Sequence, residues 1–269
     1  MDESRLRQHV EALAGTPRVP GTPEHARAVE YIEDAFNDMG LWCVKHVFED
    51  GSVNIVAEKS KVPTFVVGAH FDSVPGSPGA DDNASGVAAL LEVAREYRFH
   101  MPDSHRIQFV AFDREEDGLI GSGHHCKWLR KEGYDVLGMI SLEMLGYKSE
   151  GQTYVEGVSI QRKEGDFLAL VSNPKSASLL KLFEGIDSPL PYETVTVPSG
   201  TEAAMLSRLS DHGSFWDAGW KALLATDTAF LRNPHYHKPT DTPATLDYTF
   251  LKQSAELIVK ALARISHIL

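Results

Sequence analysis

Between residues 3 and 40, apolar residues return every three or four positions on either side of the turn-rich run GTPRVPGTPEH, a spacing that predicts two amphipathic helices. The second, Glu24 to Met39, follows the start signal Thr22-Pro23 and stops at Gly40, which suits a C-cap. Strand-like runs come next: WCVKHVF (42–48), VNIVAE (53–58) and TFVVGAH (64–70). From Asn83 the pattern ASGVAALLEVAREY turns helical, RIQFVAF (106–112) reads as a buried strand, and LIGSGHHCKWLRKEG as another helix. VLGMISLEM (136–144), FLALVSN (167–173), YETVTV (192–197) and KALLAT (221–226) are further strands, with helices near 175–185 and 211–219 between them. A long helix from about Leu246 to Ile268 closes the chain.

Strands alternating with helices predict an α/β layered protein with a largely parallel sheet. No linker, repeat or low-complexity run divides residues 1–269, which read as a single domain. In such sheets ligands bind beyond the carboxyl ends of the strands. The chemistry is therefore sought there.

Composition narrows the choice of chemistry. The chain has 269 residues, 42% apolar and 24% charged, which excludes a disordered, collagen-like or coiled-coil protein. Lys+Arg number 26 against 38 Asp+Glu, a net charge of −12 that repels phosphate backbones and anionic membranes. Nucleic acid and membrane are thus set aside as partners. No segment marks an obligate protein partner; metal ions and cationic or zwitterionic substrates suit the charge. Cys43 and Cys126, two isolated thiols, point to neither a disulfide framework nor a cysteine zinc site. The first residues lack the apolar core of a signal peptide. The expected location is cytoplasmic, with a removed leader and secretion or a periplasmic site as the alternative.

Three strand exits, one helix start and one late loop carry polar clusters. TFVVGAH ends in His70-Phe71-Asp72; a Gly/Pro loop then leads to Gly79-Ala80-Asp81-Asp82-Asn83-Ala84-Ser85-Gly86. RIQFVAF runs into Asp113-Arg114-Glu115-Glu116-Asp117, VLGMISL ends in Glu143, and Asn233-Pro234-His235-Tyr236-His237 lies in a loop. Acidic residues can simply stabilise helix N-termini. That reading strains over Glu143, since a carboxylate ending an apolar strand needs a partner for its charge. Imidazoles and carboxylates gathered at one sheet edge, with no cysteine, fit a divalent first-row ion, zinc first.

HFDS, GADDNASG, Glu115-Glu116 followed by DGLIGS, and the late YHKPTDT together resemble the zinc aminopeptidases of metallopeptidase family twenty-eight, over residues 20 to 269. The resemblance implies a three-layer α/β/α sandwich around a mixed, mostly parallel sheet. It also implies two divalent ions, zinc first, and cleavage of the N-terminal bond of peptides with a free N-terminus. By the same resemblance Asp82 bridges the metals, His70 and Glu143 complete one ligand set, and Glu116 and His237 the other. Glu115 is the general base, Asp72 orients the His70 ring, and Tyr236 donates to the oxyanion. Two metals sharing a carboxylate polarise the scissile carbonyl and acidify a bridging water, whose proton Glu115 would take and pass to the departing amine.

Glu143 stands where many of these aminopeptidases carry Asp, which keeps a carboxypeptidase-type exopeptidase open. A glutaminyl-cyclase-like zinc acyltransferase is the main alternative, and a non-catalytic binding module ranks last. Asp211-His212 and Phe215, in SDHGSF, resemble an element that lines the site in these enzymes. Phe215, Trp216 and Trp220 otherwise read as core. Arg232, near Asp227, reads as a surface ion pair, and His235 as a rival of His237. His124 and His125 are expected to be exposed, and so are His9, His25, His46, His100, His105 and His267.

Overall fold

The apolar runs pair into one eight-stranded sheet in a computed structural model that describes residues 1–58, 65–100, 107–156, 158 and 160–265. Its strands are β1 (Trp42–Val47), β2 (Val53–Glu58), β3 (Phe65–His70), β4 (Ile107–Phe112), β5 (Gly138–Glu143), β6 (Leu168–Ser172), β7 (Tyr192–Thr196) and β8 (Ala222–Thr226). They lie in the order β1-β2-β4-β3-β5-β8-β6-β7. β4–β3, β3–β5, β5–β8 and β6–β7 are parallel; β1–β2, β2–β4 and β8–β6 are antiparallel. The sheet is mixed and mostly parallel, as the sequence predicts.

Neighbouring residues of a strand face opposite sides, and both sides are covered. Val67, Phe109 and Ile140 join a core with α1 (Glu3–Leu13), α2 (Pro23–Asp38), α3 (Gly86–His100) and α7 (Tyr248–Leu262). Val66, Val110 and Met139 face the other way, toward Leu129 of α4 (Ile120–Lys131) and Phe215 of α6 (His212–Asp217). The architecture is the expected three-layer α/β/α sandwich. The remaining helix, α5 (Glu202–Leu206), was not anticipated; five residues show too little periodicity, although Thr201 caps it by accepting from the Ala204 N–H at 3.1 Å.

Helix starts follow their local signals. Thr22 accepts from the His25 N–H at 3.3 Å ahead of Pro23, and Asp247 accepts from that of Phe250 at 2.8 Å. Gly40 takes the left-handed conformation after α2. The helix expected near 175–185 is instead a 3₁₀ segment, Ala177–Leu182, confined between Pro174 and left-handed Gly185. The closing helix runs shorter than expected, ending at Leu262, and residues 266–269 lie outside the described residues. Among the described residues no helix is long and apolar enough to cross a membrane.

Several histidines depart from expectation. His25 is buried, with Nε2 2.7 Å from Asp113 Oδ1 and its ring stacked on Phe71. His9 is buried against Tyr31 and Glu92. His125 is fully buried, Nε2 2.7 Å from Gln108 Oε1, and burial lowers its pKa to about 3. His46 is half-buried on Trp128, and His124 stands 3.3 Å from Asp50. His9, His25, His124 and His125 each face a polar partner within the fold, whereas His46 is held by ring contacts alone among the described residues. The His100 side chain, His105 and His267 lie outside the described residues.

Candidate metal centre and active site

β4, β3, β5 and β8 end side by side, so four chain exits meet at one edge of the sheet. His70 is the last residue of β3 and is buried. The loop after it is held by Arg18, a fully buried guanidinium. Its Nε donates to the Phe71 carbonyl at 2.7 Å, and its terminal nitrogens donate to Leu13, Pro78 and Gly79. Burial lowers the Arg18 pKa to about 10, opposed by the charges of Asp72, Asp82, Asp241 and Glu116. The loop ends at Gly79, whose φ is +62° and where a Cβ would lie 2.1 Å from the Asp82 carbonyl oxygen; only glycine fits.

The next segment, Ala80–Ser85, is a tight distorted turn entering α3, with a cis peptide between Asp82 and Asn83. Its two aspartates do different things. Asp81 points into the protein, accepting from the Gly146 N–H at 2.9 Å and Asn233 Nδ2 at 2.6 Å. Asp82 points into the site. Asp241 fixes both backbones by accepting their N–H groups at 3.0 and 3.1 Å. Asn83 joins this turn to β5, donating to the Leu142 carbonyl at 2.9 Å and accepting from the Met144 N–H at 2.9 Å.

Asp72 ties the β3 and β4 exits together. Its oxygens accept the Glu115 and Glu116 N–H groups at 3.1 and 3.2 Å, and Oδ1 stands 3.3 Å from His70 Nδ1. Glu143 ends β5 and accepts from Ser210 Oγ at 2.8 Å. His237 arrives on the loop after β8 with φ +57°, its ring stacked on Tyr236 at 3.8 Å.

These side chains converge in two trios joined by Asp82. His70 Nε2 lies 3.3 Å from Asp82 Oδ1 and 3.3 Å from Glu143 Oε2. His237 Nε2 lies 3.1 Å from Asp82 Oδ2 and 3.2 Å from Glu116 Oε2. Each aspartate oxygen faces its own imidazole. A tetrahedral ion bound at about 2.0–2.1 Å sets its ligand atoms roughly 3.3 Å apart, and the imidazole–carboxylate distances of both trios match that spacing. Asp82 Oδ2 and Glu116 Oε1 are buried and, among the described residues, lack a directed hydrogen bond. His70, Glu115 and Glu116 also group closely enough to ligate, so Glu115 stands immediately beside the ligand set.

Crowded carboxylates dominate the electrostatics. Burial disfavours charge on His237, yet Asp82 and Glu116 raise its pKa to about 10. Burial also opposes charge on His70, whose pKa is held well above its usual value by Glu143, Glu115, Asp72 and Asp82. A site this acidic recruits positive charge, and a divalent cation satisfies it directly. Burial likewise raises Glu115 well above the ordinary carboxylate range, with His70 pulling it down and Glu143, Asp211 and Glu116 adding to the rise.

Beside Glu115 and Glu143 opens a cavity of about 130 Å³, walled by Val171, Val195, Leu224, Val158 and Ile160 and reaching Tyr236. From the SDHGSF stretch and the residues before it, Ser207, Leu209 and Ser210 line it. Asp211, His212 and Phe215 are interior residues instead, which corrects their expected place in the lining. Burial raises Asp211 to about 7; His212 Nε2 donates to the Ser207 carbonyl at 2.5 Å, and Phe215 packs against Phe112 and Trp220. Trp216 and Trp220 are half-buried. Arg232 is buried rather than a surface ion pair, donating to Gln152 at 3.0 Å. His235 Nδ1 is engaged by Thr240 Oγ1 at 2.9 Å. Ser210, Asn83, Asp241 and Arg18 were missed as supports. Asn83 and Asp241 lie within the GADDNASG and YHKPTDT runs, where spacing could have flagged them.

Fold and side chains together define an α/β/α protein with a candidate metal site at its carboxyl edge. The chain belongs to Peptidase family M28, which matches residues 53–262. It is 31% identical over 261 residues to the uncharacterized protein YfbL of Escherichia coli K12, covering 88% of this chain and 79% of YfbL. It is 29% identical over 221 residues to aminopeptidase YwaD of Bacillus subtilis 168, covering 78% of this chain and 44% of YwaD. An aminopeptidase from Aneurinibacillus sp. strain AM-1 shares the fold at a TM-score of 0.76 and 20% identity, covering 98% of this chain and 93% of that one.

Proposed function

We propose that this protein is a metal-dependent aminopeptidase that removes the N-terminal residue of peptides and holds two divalent cations, zinc first. One observation carries the reading: the two oxygens of Asp82 face separate imidazole–carboxylate trios, with Glu115 beside them. His70, Asp82 and Glu143 would hold one ion; Asp82, Glu116 and His237 would hold the other. Bound there, the ions supply Lewis acidity to the scissile carbonyl and to water.

The remaining roles fall to the chain's own side chains. Glu115, its affinity for a proton increased by burial, takes a proton from water and returns it to the leaving amine. Asp72 holds the Glu115 and Glu116 backbone in register with His70. Burial and nearby carboxylates push the Tyr236 phenol upward, so it stays protonated as a donor to the oxyanion. Glu115 and Glu143 face the free α-amine, and the apolar cavity receives an aliphatic or aromatic N-terminal side chain.

Zinc-loaded protein offered a panel of aminoacyl chromophores, an N-blocked peptide and a glutaminyl peptide tests this directly. The expected result is free amino acid from the aminoacyl substrates, with apolar residues first. Ammonia without free amino acid from the glutaminyl peptide would establish the cyclase alternative. Release only from the C-terminus of the blocked peptide would establish a carboxypeptidase.

A further inference from the structure

Past Glu116 the surface opens into a second cavity, of about 810 Å³, bordered by Thr22 and Ala26 of the α2 start, by Val74 and by Arg114. Glu116 lines this cavity and the apolar one alike, so the ligand cluster stands between them. With the N-terminal side chain in the apolar cavity, the scissile carbonyl lies over the cluster. The second cavity, which shares Glu116 with the first, then offers room for the chain beyond it.

The lining of this second cavity is electrostatically one-sided. Five carboxylates border it (Glu30, Asp50, Asp113, Glu116 and Asp117) against the side-chain cations Lys45 and Arg114. Both cations already have a carboxylate partner: Lys45 Nζ lies 2.7 Å from Glu33, and Arg114 Nε 2.8 Å from Asp117. His25 occupies Asp113. Glu30 is exposed on α2, facing the groove, and the whole chain carries a net charge of −12.

We propose that this groove binds the leaving portion of the peptide, on the C-terminal side of the cleaved bond, and favours basic side chains there. The proposal rests on the aminopeptidase reading of the adjoining site. Asp113 is occupied by His25 and Asp117 by Arg114, Asp50 stands 3.3 Å from His124, and Glu116 belongs to the ligand set, so an ammonium or guanidinium group entering the groove meets the exposed Glu30 carboxylate, whereas an acidic side chain meets like charge there.

The test compares kcat/KM of the zinc-loaded enzyme for Leu-Lys-Ala-Ala and Leu-Glu-Ala-Ala at low ionic strength. The lysyl peptide is expected to lead by about three- to fivefold, the range of an exposed charge contact. That ratio should shrink toward unity in about 0.5 M salt and in Glu30→Lys. Ala26→Trp, which fills the groove from the exposed side of α2, should lower the tetrapeptides relative to a leucyl chromophore by about tenfold, a loss of roughly 1.4 kcal/mol. Thermal unfolding checks that both variants fold. A lysyl-to-glutamyl ratio at or below one, or one that Glu30→Lys leaves unmoved, overturns the proposal. Failure to release leucine from any substrate would instead overturn the aminopeptidase reading, so the two failures are told apart.

Discussion

The two halves of the sheet edge are built on different rules. At the exits of β3, β4 and β5, the side chains that support the ligand cluster are held by directed partners: Asp72 by two backbone N–H groups, Glu143 by Ser210, Asn83 by the β5 exit. At β6, β7 and α5, the neighbouring cavity is walled by Val171, Val195, Val197, Ala203 and Leu206, which contribute shape alone. Directed contacts fail abruptly when one member is lost, because the others are left buried and unpaired. An apolar wall gives way gradually, by volume. Substitutions in the first half should therefore abolish an activity, and those in the second should redirect it.

The largest effect expected is at Glu115. Glu115→Gln keeps the shape and the Asp72 contact, which runs through the backbone N–H, but cannot accept the proton. Turnover should fall by about 10²–10⁴-fold, with metal content by atomic emission nearly unchanged. His237→Ala should do the reverse at the metal level and lose bound cation, since it removes one member of a trio. Near-normal turnover in Glu115→Gln would assign the base elsewhere and dissolve the contrast between the halves.

Next in size is Arg18, which acts on the site without entering it. It donates to three carbonyls of the loop between His70 and Asp82, those of Phe71, Pro78 and Gly79, and to that of Leu13 at the end of α1. Arg18→Met leaves those buried acceptors unpaired, at a cost of about 3–5 kcal/mol if two or three stay unsatisfied. Denaturant unfolding should show the loss, and zinc titration a weaker affinity, because Asp72 and Asp82 are no longer held in place. Arg18→Lys should recover less than half: three donors on one nitrogen cannot span four carbonyls. Unchanged zinc affinity in Arg18→Met would separate the clamp from the metal site.

The same contrast explains what was legible in the sequence. The strands and their order of polar exits could be read because buried parallel strands are continuous apolar runs, and because the chemistry demands His, Asp and Glu at their ends. His70, Asp82, Glu115, Glu116, Glu143 and His237, named as a set from the motifs, are brought together by the fold. Supports were harder. Arg18 sits in a turn whose composition suggested only a connection, and its role appears when Phe71 and Gly79 fold around it. Asp211, His212 and Phe215 share a motif-like stretch with Ser210, yet the chain turns inward after Ser210, so the line between wall and core falls inside the motif. The cavity wall itself was invisible, since a valine lining a pocket and a valine filling a core look the same in a sequence. His25 and His125 show the converse: polar residues read as surface are drawn inward by Asp113 and Gln108.

The smallest effect is the sharpest test of the apolar half. Val195 lies on β7, is 5% exposed, and contributes its side chain to the cavity wall. Val195→Ala removes two methyl groups from that wall and none of the directed contacts around Glu115. Stability should drop by about 1 kcal/mol, near the lower range for a partly relaxed core truncation. The wider cavity should favour a bulkier N-terminal side chain, since a methylene in an apolar pocket is worth roughly 1–3 kcal/mol of discrimination. The ratio of kcat/KM for phenylalanyl over leucyl chromophores should therefore rise by about five- to tenfold, mostly through a gain on the larger substrate. A ratio that stays put while Glu115→Gln remains inactive would mean that the cavity does not receive the N-terminal side chain. The directed half would then stand alone, with substrate choice made elsewhere on the sheet edge.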